Sequence, residues 1–393
     1  MTATSPRLRA YSGPAILSFG FRPFFLAGAL WAAIAAALWL PLLDGHLALP
    51  SAFTPLEWHV HELLYGFIPA IIAGFLLTAV PNWTGRLPVA GWPLAMLAAL
   101  WFAGRIAILG SRIIGPAMAA LIDLSFLAIL GLVILRELLA GKTPHHIPVL
   151  GIAGLLLAGN ITFHLESATN SGNGYGTRIG IAAIVVLIML IGGRIVPSFT
   201  RNWLAKQGPG RLPVPFGRFD AAVIAASALS LASWVAFPDH PLTAALLFAA
   251  GLANTVRLAR WAGERTTAEP IVAILHLGFA FIPLGFFLMA IAIWSPGTIA
   301  ASGALHSWTA GAFGVMTLAV MTRASLGHTG RPLAATRPIQ FIYFAVFTAA
   351  IARLVAAFGL LRDPMLHFAA TAWVLAFVVF VAVYAPLLTK ARA

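Results

Sequence analysis

The 393-residue sequence is 61% hydrophobic and only 9% charged, with a mean hydropathy of +0.94. Soluble domains carry roughly 25% charged residues, so a water-soluble fold is excluded, and so is disorder, which needs low hydrophobicity and high charge. The net charge of +13 does not point to nucleic acid, because basic residues of membrane proteins collect in cytoplasmic loops.

About twelve spanning helices of about 22 residues would use about 264 residues. That leaves no room for a sizeable soluble domain, so residues 1–393 are expected to form a single transmembrane domain. The first residues, 1–13, read as a short basic tail and not as a removed signal peptide. Apolar runs then follow at 24–43, 59–81, 88–109, 114–138, 147–168, 179–202, 219–237, 241–262, 270–294, 300–322, 338–361 and 364–388. Pro88, Pro148, Pro241, Pro270, Pro338 and Pro364 sit near expected helix starts, where a missing N–H costs little. With a cytoplasmic N-terminus, 19 of the 24 basic residues fall on the inner side, Arg7, Arg9 and Arg392 among them. Only Arg105, Arg112, Arg178, Arg353 and Arg362 fall outside. This bias places both termini inside. Helices two, six and ten end in related words, Leu77–Pro81, Gly193–Pro197 and Leu318–Met321, each soon followed by Thr and Arg. These suggest three four-helix repeats in an all-α polytopic membrane protein.

The sequence contains no cysteine. That excludes disulfides, thiolate metal sites and cysteine-ligated clusters, so a metal would need His, Met, Tyr or carboxylate ligands. Of eleven histidines, His46, His240, His145 and His146 fall in loops and read as solvated, and His367 as packed or interfacial. The rest fall in or beside helices, where polar residues are costly and usually serve a pathway or a ligand. In Trp58-His59-Val60-His61-Glu62, His59 and His61 point about 200° apart on a regular helix, so both cannot hold one ion. His61 is the better ligand, with Glu62 beside it as an orienting or proton-handling carboxylate; an interfacial polar belt is the plainer reading. His59, His61, His164 and His306 share an outer depth layer, His276 and His328 an inner one. Separate structural histidines would give the same depths. Arg194 and Arg323 lie with the inner layer. A lone arginine in the membrane needs an anion, such as a haem propionate, a carboxylate from Asp123 or Glu166, or a group of carbonyls. No phosphate loop, Rossmann turn, nucleophile elbow or HExxH motif is present.

Several segments together resemble the NnrS family of bacterial membrane proteins. They are Phe21–Phe25, Trp58–Glu62, Ala73–Arg86, Gly192–Arg194 with Pro197–Asn202, Leu275–Gly278 and Leu318–Pro332. The resemblance implies an inner-membrane protein with haem, of b type, and copper, acting in the response to nitric oxide. It implies that His59, His61, His164, His276, His306 and His328 match the family's recurrent histidines. On that basis the six are the expected metal ligands, Arg22, Arg194 and Arg323 the expected cofactor-binding residues, and Glu62 the expected proton donor; Glu166 is left out of the site. Twelve helices in a three-by-four repeat are also similar in architecture to subunit I of haem–copper oxidases, although the paired adjacent histidines of that group are absent here. The expected partners are nitric oxide, the lipid bilayer and a quinol or other membrane electron donor. The expected activity is NO binding, detoxification or reduction. Two other classes fit the same pattern: a secondary transporter of a metal or small molecule, and a structural assembly factor indifferent to loss of these histidines.

Overall fold

The computed structural model describes residues 11–143 and 147–390. Arg7, Arg9, His145, His146 and Arg392 lie outside the described residues. Among the described residues twelve helices are long and apolar enough to cross a membrane. They are α1 Phe21–Leu43, α2 Pro55–Thr84, α3 Trp92–Leu109, α4 Pro116–Ala140, α5 Ile147–Thr169, α6 Tyr175–Leu204, α7 Arg218–Ala236, α8 Pro241–Ala259, α9 Pro270–Trp294, α10 Ala301–His328, α11 Arg337–Ala357 and α12 Arg362–Thr389. No described residue lies in a strand. The protein is an all-α, multi-pass membrane protein.

Helices dominate because lipid offers the backbone no hydrogen bonds, so each N–H and C=O must be satisfied within the chain. The helix ends are handled by local chemistry. Proline occupies one of the first two positions of α3, α4, α8, α9 and α11. The exception to the expected starts is Pro88, which precedes α3 by four residues. At the start of α2, Thr54 Oγ1 accepts from the Glu57 N–H at 3.3 Å, and Glu57 Oε2 accepts from the Thr54 N–H at 2.8 Å. This reciprocal cap fixes where α2 begins. The same helix ends at Gly85, whose φ of +70° suits a residue without a side chain and whose N–H donates to Pro81 O at 2.9 Å.

The chain forms two compact units. The first comprises Met1–Asn173, Ala324–Arg331 and Phe380–Ala393, the second Gly174–Arg323 and Pro332–Val379. In the first, α2 packs against α1 and α4, α4 against α3 and α5. The core window of α2 is 78% buried against 33% for α4 and α5, so α2 is the axis of this unit. In the second, α9 packs on α6, α8 and α10, and α10 on α11; α9 is 72% buried and takes the same central place.

Two helices contain a wide π turn, Glu62–Phe67 in α2 and Ser307–Gly314 in α10. Each turn begins at the residue after a histidine. In α2 the cause is readable. Pro69 has no N–H to give Tyr65, and its ring would press on the Tyr65 carbonyl in a regular α-helix. One extra residue in the preceding turn relieves both problems. The third helix of the sequence echo, α6, is regular throughout.

Candidate metal centre

The first unit buries a polar cluster between its helices. His61 comes from α2, Asp123 from α4 and His164 from α5, and one ligand atom from each lies within 4.8 Å of the others. His61 Nε2 is 3.3 Å and His164 Nε2 3.2 Å from Asp123 Oδ2. His61, Asp123 and His164 lie six, seven and five positions inside helix ends that share one side of the unit. At 1.5 Å per residue the cluster is roughly 8–11 Å from those ends.

Each member is held by further partners. Asn160, four residues before His164 and on the same face of α5, donates from Nδ2 to Asp123 Oδ2 at 2.8 Å. That orientation turns its Oδ1 to His61 Nε2, whose N–H donates to it at 3.1 Å, a proton that would leave on metal binding. His61 Nδ1 donates to Glu62 Oε1 at 3.0 Å. The Arg105 guanidinium from α3 bridges the two acids, with Nη1 on Glu62 Oε1 and Oε2 at 2.7 and 2.8 Å and Nη2 on Asp123 Oδ1. Trp31 of α1 donates to Glu62 Oε2 at 2.7 Å. His61 and Glu62 are fully buried, and Arg105, Asp123 and Asn160 are exposed by 3% or less. The rings of Phe53, Phe163 and Tyr65 lie 5.0, 5.5 and 5.7 Å from that of His61, and Phe53 also faces His164 at 5.5 Å. This is a dry site with two carboxylates and one guanidinium.

Gly66, inside the π turn, packs against the ion pairs. A methyl on Gly66 would collide with Arg105 Nη1 and would stand 3.0 Å from Glu62 Oε2 and 3.1 Å from Trp31 Nε1. The Gly66 carbonyl is in turn taken by Trp101 Nε1 at 2.9 Å. Position 66 therefore needs glycine for space.

The remaining expected site residues lie elsewhere. His59 turns away from His61, as the helical spacing requires, and stacks on Trp39 at 4.0 Å. His328 is exposed and lies against Phe21, ring to ring at 5.3 Å. In the second unit, His306 Nδ1 donates to the Ser302 carbonyl at 2.7 Å. His276 is buried on Thr200. The Thr200 hydroxyl donates to Val196 O at 2.9 Å, so His276 Nε2–H must donate to Thr200, at 2.7 Å. Its Nδ1 faces Gly263, where a Cβ would be only 2.6 Å away.

The expected anion-binding arginines have other partners. Arg22 donates to the carbonyls of Leu387, Leu388 and Lys390 at 3.4, 3.0 and 2.7 Å, and so caps the end of α12. Arg194 is exposed, donates to Leu190 O at 2.8 Å and stacks on Phe216 at 4.1 Å. Phe216 lies two residues before α7, so Arg194 stands at the level of a helix end and not deep in the membrane. Arg323 stacks on Phe199 at 3.9 Å. Asp123, one of the two acids offered for Arg194, is bound to Arg105 instead.

Arg105, Asn160 and Trp31 were not singled out by sequence. In the sequence Arg105 reads as one of the outer basic residues. Asn160 left a usable trace, since an Asn and a His four apart in an apolar helix mark one polar face. Trp31 left none.

The model for the family described as NnrS protein matches residues 15–392. The chain belongs to the NnrS family. No curated protein matches it. The motifs that carried the resemblance thus sit within a match over nearly the whole chain.

Two imidazoles and a carboxylate suit a copper, zinc or iron ion, and the His61–Asp123–His164 group of this NnrS chain could hold one. Glu62 on the His61 Nδ1–H is the carboxylate–histidine arrangement that orients a metal-bound imidazole and leaves Nε2 as the coordinating atom. Both nitrogens of His276 face protein, and Arg22, Arg194 and Arg323 are engaged with carbonyls or rings.

Proposed function

We propose that this NnrS protein is a copper-holding protein of the bacterial inner membrane, with both termini cytoplasmic, that binds nitric oxide during nitrosative stress. The observation that supports this most is the dry His61–Asp123–His164 cluster, placed within reach of an apolar gas and away from water. NO partitions into apolar phases and needs no polar channel to arrive. A copper ion with three protein ligands supplies an open position for a diatomic ligand.

The protein's own groups do the rest. His61 and His164 give neutral nitrogen donors, and Asp123 gives an oxygen. Asn160 sets the angle between Asp123 and His61. Glu62 accepts from His61, Trp31 and Arg105, with both oxygens engaged. We therefore assign it an orienting role and not that of proton donor. Binding or sequestration of NO is the activity this arrangement supports; its reduction would further require a quinol or other membrane electron donor.

The test is copper content and NO binding in purified protein reconstituted in lipid nanodiscs. About one copper per chain is expected in the wild type, with loss of copper and of the NO-induced spectral change in His61→Ala and His164→Ala. Full copper in both variants would refute the site. A metal-free wild type that moves a small solute across vesicles would favour the transporter reading.

A further inference from the structure

The fixed charges around the cluster bear on which ion it accepts. Glu62 and Asp123 contribute two negative charges, and one guanidinium, Arg105, bridges both. With neutral imidazoles the site has a net charge of −1. Glu62, Asp123, Arg105 and His61 are almost completely buried and the His164 side chain is 8% exposed, in a protein that sits in lipid. A monovalent ion brings the group to neutrality, whereas a divalent ion leaves a net positive charge in a low-dielectric place, which is costly.

We propose that Arg105 is a specificity-determining residue that, through its two ion pairs, makes this site select a monovalent ion, cuprous copper, over divalent ions such as zinc. The inference rests on the metal-site reading above and adds to it the charge state and the residue that sets it. Ligand softness pulls the other way, because cuprous copper prefers sulfur to nitrogen and oxygen. That preference belongs to His61, Asp123 and His164, which stay unchanged when Arg105 or Glu62 is altered. Comparing variants therefore isolates the charge effect.

The experiment measures cuprous and zinc affinities of the full-length protein in nanodiscs, oxygen-free, by competition with chromophoric chelators. Arg105→Gln makes the site −2 and should lower the cuprous-to-zinc affinity ratio by roughly fiftyfold, from one charge about 7 Å away at an effective dielectric of about 20. Glu62→Gln makes the site neutral and should raise the ratio by a similar factor. The double variant restores −1 and should return the ratio close to that of the wild type. This return also shows that the altered site still folds. An unchanged ratio in both single variants, or a double variant that stays displaced, overturns the charge assignment. If His61→Ala and His164→Ala abolish binding while the ratio does not move, only the selectivity inference fails. A wild type that binds neither ion removes both this inference and the site.

Discussion

Gly66→Ala separates two opposed effects in one substitution. Helix propensity alone favours alanine by about 1 kcal/mol. The site opposes it. The new methyl collides with Arg105 Nη1 and crowds Glu62 Oε2 and Trp31 Nε1, at 3.0 and 3.1 Å. To admit it, Arg105 must withdraw from Glu62, where it now makes bonds of 2.7 and 2.8 Å. Separating a buried ion pair costs about 3–5 kcal/mol, so the net destabilisation is about 2–4 kcal/mol. The control is Gly131→Ala in α4, where nothing lies within 4 Å of the added carbon; it should be neutral or stabilising. The assay is thermal unfolding followed by tryptophan fluorescence in matched nanodiscs. If Gly66→Ala proves as stable as Gly131→Ala, the packing of Arg105, Glu62 and Trp31 against position 66 is wrong.

Trp31→Phe removes one donor to a buried carboxylate and should cost about 1.5–3 kcal/mol, seen as a lower unfolding midpoint with the copper content retained. Arg22→Met frees the carbonyls at the end of α12 and should speed tryptic cleavage after Lys390, with no effect on copper. The exposed Arg211 holds the Glu264 carboxyl below its usual value of 4.5 by hydrogen bonding. A depressed carboxylate stabilises above its unfolded value, and that contribution is lost as pH falls through the folded one. Arg211→Ala should therefore cost no more than about 1 kcal/mol at pH 7, and the difference from wild type should shrink as Glu264 protonates below about pH 4, to what the Arg211 bond to Ala259 O contributes. A difference that does not change between pH 7 and acid would contradict the pairing.

The spans were the readable part of the sequence, because a bilayer imposes length and hydropathy directly. The expected runs meet the observed helices within a few residues, apart from α10, which continues six residues past 322 to His328. The choice between His59 and His61 was also readable in part, since helical spacing forbids both from facing one ion, and His61 is the one turned inward. The depth layers were less informative. Depth places residues at one level but not on one side of a helix, and so it grouped His59 with His61. Arg105 was misread because an arginine near a span's end looks like a loop residue until its partners are known. Those partners, Glu62 and Asp123, lie on two other helices, and no spacing along one chain segment encodes such a pairing. The same holds for Arg22, whose carbonyl partners are more than 360 residues away. Gly66 looked like any other membrane glycine; only the guanidinium packed against it explains it.

X-ray absorption at the copper edge tests the central claim most directly. The account predicts two nitrogens and one oxygen around the copper, with loss of the oxygen in Asp123→Ala and of a nitrogen in His164→Ala. A sulfur neighbour, or a copper spectrum identical in wild type, Asp123→Ala and His164→Ala, would contradict it.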